Sequence, residues 1–145
     1  MKLNAEQVVQ FEELGYLLLR GALTDADLDP VIAEYEAHIG RRAEQMLAAG
    51  KISALYANEP FNRRLIRICR ENNEIYNELD IMHFRGPALF EFLTNDRLLD
   101  LVEGLVGPEI SCSPIQHTRP KLPSDIACGG DQHVVPWHQD AGVTW

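Results

Sequence analysis

The chain has 145 residues, 46% of them hydrophobic and 24% charged, a composition that supports a folded core rather than a disordered or fibrous chain. Its 13 Lys and Arg against 22 Asp and Glu leave a formal net charge of −9, which argues against a general nucleic-acid binder or a partner of anionic membranes. No apolar run approaches the roughly 20 residues that cross a bilayer, and the first ten residues lack the apolar segment of a secretory signal, so the expected location is cytoplasmic.

Asn4 has the right chemistry to cap a helix running to Leu14, with Val8, Phe11 and Leu14 on one face and Gly15 as its stop. Tyr16–Arg20, an apolar run between Gly15 and Gly21, predicts a short buried strand. Thr24 and Asp27 form a capping-box pattern, but Pro30 suits a first turn, which places the regular helix from Asp29. Val31, Ile32, Tyr35, Ile39, Met46 and Leu47 carry that helix toward Gly50. Further helices are expected after Pro60, around Ile75–Leu79, over Pro87–Leu93, and from Asn95 to the Gly107-Pro108 stop. Beyond Pro108 the pattern changes. Glu109–Ser113 and Ile115–Arg119 read as strands, residues 121–132 as a loop, and residues 134–140 as extended chain.

Cys69, Cys112 and Cys128 are too few and too widely spaced for a disulfide framework, and are expected as reduced, mostly buried thiols. The chemistry concentrates at His138 and Asp140. On an extended chain residues i and i+2 project to one face, so an imidazole and a carboxylate at this spacing can serve as two ligands of a facial triad of two histidines and one carboxylate. A bare H-x-D is common by chance, and its surroundings raise its weight. His117, Cys128, Asp131 and His133 lack zinc-site spacing and read as loop residues, with Asp131 and His133 as possible edges of a substrate pocket. His38 and His83 have no partner pattern and read as structural.

Val135-Pro136-Trp137-His138-Gln139-Asp140-Ala141-Gly142-Val143-Thr144-Trp145 resembles the iron motif of the phytanoyl-CoA dioxygenase family, and Phe11–Thr24 resembles that family's opening helix, Gly-Tyr and strand. The resemblance implies an α+β fold, with helices over residues 1–107 followed by barrel strands of a partial double-stranded β-helix (a cupin-like jelly-roll) over 108–145, all within a single domain. It implies an iron(II)- and 2-oxoglutarate-dependent dioxygenase that hydroxylates a small organic substrate at an unactivated C–H bond with molecular oxygen. His138 and Asp140 would bind iron(II), and Lys121 and Gln116 would help hold 2-oxoglutarate, since a lysine can neutralise a carboxylate in a low-dielectric pocket. The family's second histidine and its 2-oxoglutarate-binding arginine follow the motif at a distance beyond Trp145, so the 145 residues are expected to be an N-terminal portion without activity of its own. Two alternatives from other classes stand beside this reading: a cupin-like metal-binding isomerase or zinc module, and a non-catalytic interaction module.

Overall fold

The structure, a computed structural model, describes residues 2–123 together with Asp125 and Ile126. Six helices follow in chain order: α1 (Ala5–Leu14), α2 (Asp25–Ala48), α3 (Phe61–Glu71), α4 (Glu74–Glu78), α5 (Pro87–Phe92) and α6 (Asp96–Val106). Their ends follow local chemistry. Asn4 accepts a hydrogen bond from the Gln7 N–H while the Gln7 side chain accepts from the Asn4 N–H, a reciprocal capping box. Gly15, at φ 74°, closes α1 in the left-handed conformation that costs a glycine nothing. Asn95 caps α6 by accepting from the N–H groups of Arg97 and Leu98.

The chain divides into two compact units. One comprises Glu34–Arg85 with the chain that follows from Pro114. It holds the core: Tyr35, Ile39, Ala43 and Met46 recur along one stripe of α2, and Leu65, Ile68 and Cys69 line α3. Ile75 and Tyr76 on α4, and Ile52, Leu79, Ile81 and Ile126 from the connecting chain, complete it. These spacings of three, four and seven residues are those of amphipathic helices packed by one face.

The other unit comprises Met1–Ala33 with Gly86–Ser113. Lys2 pairs with Glu103 at 3.1 Å, and the Leu3 side chain lies so close to Gly104 that an added Cβ there would meet it at 3.3 Å. Asp27 is the polar hub of this unit. One carboxylate oxygen accepts from the Thr24 N–H and hydroxyl, and the other accepts from the Asn95 amide at 3.0 Å. Arg97 lies 3.5 Å away. Leu89 is the only residue here among the buried apolar side chains of the described residues, whereas Val9, Leu14, Tyr16, Leu18, Phe90, Leu105 and Val106 are exposed.

Two expectations are corrected. The predicted α+β fold with a partial jelly-roll is overturned: the described residues contain six helices and no β-strand. Tyr16–Arg20, Glu109–Ser113 and Ile115–Arg119 are all irregular chain. Over residues 16–20 exposure still alternates, with Leu17 and Leu19 turned inward and Tyr16 and Leu18 outward. Alternation records an extended backbone, but a strand also needs a neighbour to complete its hydrogen-bond ladder, and none is present among the described residues. Pro108, Pro114 and Pro120 bound the later segments and confine each to five residues. The second correction concerns α2, which starts at Asp25 rather than Asp29. The hydrogen bonds from Thr24 to Asp27 stabilise the first turn, so Pro30 is accommodated inside the helix. The extended segment expected over residues 134–140 lies outside the described residues.

Candidate functional site

Gln116 and Lys121, the two residues expected to hold 2-oxoglutarate, stand on the irregular chain between Pro114 and Pro123. His138 and Asp140, the expected iron ligands, lie outside the described residues, as do Cys128, Asp131 and His133. Gln116 is half-buried and engaged by its surroundings, whereas Lys121 is exposed and makes no hydrogen bond or ion pair with a described residue. The structure therefore places Gln116 and Lys121 on one short segment, the first half-buried and the second exposed.

That segment is fastened to the helices of its own unit at several points. His117 Nδ1 donates to Oδ2 of Asp80 at 2.9 Å. The adjacent Thr118 lies near Tyr35, whose hydroxyl donates to the Leu79 carbonyl at 3.2 Å. Arg70 reaches Asp125 at 3.3 Å, and Ile126 is buried in the core. Along residues 115–119 exposure alternates, with Gln116 and Thr118 turned toward the body.

Asp80 is shaped for this contact. Its carbonyl accepts from the N–H groups of His83 and Phe84, both at 2.8 Å, and its Oδ1 accepts from the Met82 N–H at 2.8 Å. This turn leaves Oδ2 for His117. Burial works to raise the pKa of Asp80. The Met82 hydrogen bond, the His117 hydrogen bond and the charges of His117 and His83 outweigh it and hold the carboxyl below its ordinary value. Tyr35 is pushed upward by burial, and by the Asp80 and Glu34 carboxylates, against the opposing hydrogen bond from Thr118.

His38 sits close by on α2. Its ring stacks at a tilt on Phe84, 4.3 Å between centroids, and its Nε2 is buried without a hydrogen-bond partner. Burial first, and then the neighbouring Arg41 and Arg42, push it below its ordinary value, with Glu78 opposing. Glu78 is held in a two-pronged pair by Arg42, at 2.5 Å and 2.6 Å, and stands 4.0 Å from His38 Nε2.

No group of three or more His, Cys, Asp or Glu side chains among the described residues is arranged to hold a metal ion. Cys69 is buried, as expected of a reduced thiol, but Cys112 is exposed. The sequence reading missed Asp80 and its partnership with His117. The two are separated by 36 intervening residues, and no local pattern connects them. No helix among the described residues is long and apolar enough to cross a membrane. Comparison with protein-family models, with curated proteins and with solved structures finds no match to this chain.

Proposed function

We propose that the chain carries part of an iron(II)- and 2-oxoglutarate-dependent oxygenase acting on a small organic substrate, with His138 and Asp140 as two iron ligands. The observation that supports this reading is the Trp137-His138-Gln139-Asp140 motif, whose spacing of two is the one at which an extended chain presents an imidazole and a carboxylate to the same side. When bound, iron(II) with 2-oxoglutarate supplies the activation of oxygen that C–H hydroxylation needs. The protein's part is geometry and charge: His138 and Asp140 hold the ion, and Lys121 and Gln116 favour the cosubstrate's carboxylate. A cytoplasmic setting, and a small-molecule partner rather than nucleic acid or membrane, accord with the net charge of −9.

Anaerobic titration calorimetry tests this reading. The 145-residue chain is expected to bind 2-oxoglutarate only when iron(II) is present, and Asp140→Ala is expected to remove that dependence. Binding that is indifferent to iron, or unchanged in Asp140→Ala, counts against it.

A second reading is a non-catalytic interaction module. It is supported by the unit formed by Met1–Ala33 and Gly86–Ser113, which exposes Leu14, Tyr16, Leu18, Phe90 and Val106 while burying little of its own apolar surface. A chain that takes up neither iron(II) nor 2-oxoglutarate favours this second reading.

A further inference from the structure

The Asp80–His117 contact joins two places the sequence keeps far apart: the turn after α4 and the segment that carries Gln116 and Lys121. It does not stand alone. Next to His117, Thr118 lies near Tyr35, whose hydroxyl donates to the carbonyl of Leu79, the residue before Asp80. Residues 79–80 and 117–118 are therefore joined directly by the Asp80–His117 bond, with Tyr35 beside them. Tyr35 is itself fixed in the core and packs edge-on against Phe84 at 5.2 Å. Asp80 is pre-oriented, because its other carboxylate oxygen and its carbonyl are occupied by the turn over residues 80–84. The side chain of Asp80 is 19% exposed and that of His117 46% exposed. Much of the strength of the pair thus comes from a partly sheltered carboxylate that cannot turn away.

We propose that Asp80 is a positioning residue: through His117 it fixes the extended chain 115–119, and with it the placement of Gln116 and Lys121 toward a bound dicarboxylate. This rests on the oxygenase reading for the identity of the dicarboxylate, while the clasp itself rests only on the geometry. A site that binds a small dianion gains affinity when its polar groups are held in place before the ligand arrives, because the ordering cost is then met in folding.

Two measurements on the 145-residue chain with three variants test it. Hydrogen exchange reads whether residues 115–119 are held, and calorimetry with 2-oxoglutarate and iron(II) reads whether the holding matters to binding. His117→Phe removes the donor at an exposed position that tolerates a ring. His117→Asn keeps an N–H near the place of Nδ1. Asp80→Asn keeps an acceptor for the Met82 N–H but loses the charge. Exchange over 115–119 is expected to speed up in His117→Phe and Asp80→Asn while α2 and α3 stay protected, and His117→Asn is expected to restore part of the protection. The dissociation constant for 2-oxoglutarate is expected to rise by about tenfold in His117→Phe and less in His117→Asn.

Unchanged exchange in both His117→Phe and Asp80→Asn overturns the clasp. Faster exchange with an unchanged dissociation constant overturns the positioning role and leaves the oxygenase reading standing. A wild-type chain that does not bind 2-oxoglutarate with iron(II) overturns the oxygenase reading and the positioning role together, and the exchange data then report on the clasp alone.

Discussion

His38 carries a defined cost in acid. Its ring packs against Phe84 with Nε2 buried and unpartnered, so the folded chain takes up its proton less readily than the unfolded chain, whose value lies near the ordinary 6.5. The unfolded state then binds more protons below that value, and stability falls as the pH drops through 6.5 toward the lower folded value, levelling off beneath it. His38→Leu is expected to flatten this loss, measured as the difference between variant and wild type in urea unfolding from about pH 7 to about pH 5. An equal loss in both proteins contradicts the assignment to His38. Asp27 acts with the opposite sign. Hydrogen bonds from the Thr24 hydroxyl and N–H, then from the Asn95 amide, with Arg97 adding charge, lower it from 3.8 to about 2 despite partial burial. Its contribution is complete above 3.8 and is lost as the pH falls toward 2. Asp27→Asn is expected to remove that part of the acid transition and to fray the start of α2, which exchange at residues 25–29 reads directly. The Thr24–Asp27 contact was written in the amino-acid pattern as a capping box, whereas the Asn95 and Arg97 contacts and the His38 effect depend on partners brought in by folding.

At the scale of elements, most helix ends were legible because each depends on a few adjacent residues, the start of α2 being the exception. Asn4 with Gln7, Gly15, Pro60, Asn95 and Gly107 all stand where the capping and stop chemistry of their residue types places them. Asn4→Ala is expected to cost about 1 kcal/mol and to loosen the first turn of α1, since it removes a reciprocal pair of hydrogen bonds. Circular dichroism through thermal unfolding checks it, and an unchanged midpoint contradicts it. The strands were not legible in the same way. Leu17 and Leu19 do face inward while Tyr16 and Leu18 face out, yet the apolar run between Gly15 and Gly21 that predicted a buried strand forms none. What turns extended backbone into a sheet is a partner strand, and that is a non-local property. The Asp80–His117 pair escaped notice for a related reason: a turn carboxylate and a loop imidazole carry no periodicity that relates them.

At the scale of the molecule, the two units differ in how much apolar surface they bury. Ile39, Met46, Ile68, Ile75 and Leu79 are almost wholly enclosed in the unit built on Glu34–Arg85, whereas the unit of Met1–Ala33 and Gly86–Ser113 encloses Leu89 and leaves large apolar side chains in solvent. Hydrophobic burial dominates stability, so amide protection is expected to be strongest in α3 and the second half of α2 and weaker in α1 and α5. Ile68→Ala, at a fully buried position, is expected to cost about 2–5 kcal/mol in chemical unfolding. A cost near zero would mean that the core is not where the structure puts it.

The functional reading reduces to whether one cation sits between the side chains of His138 and Asp140. Solution NMR of the 145-residue chain with substoichiometric manganese(II), a paramagnetic stand-in for iron(II), measures this even for weak binding. The account predicts line broadening centred on residues 137–141 that disappears in Asp140→Ala. Broadening spread over the acidic surface, or centred elsewhere and untouched by Asp140→Ala, would contradict it.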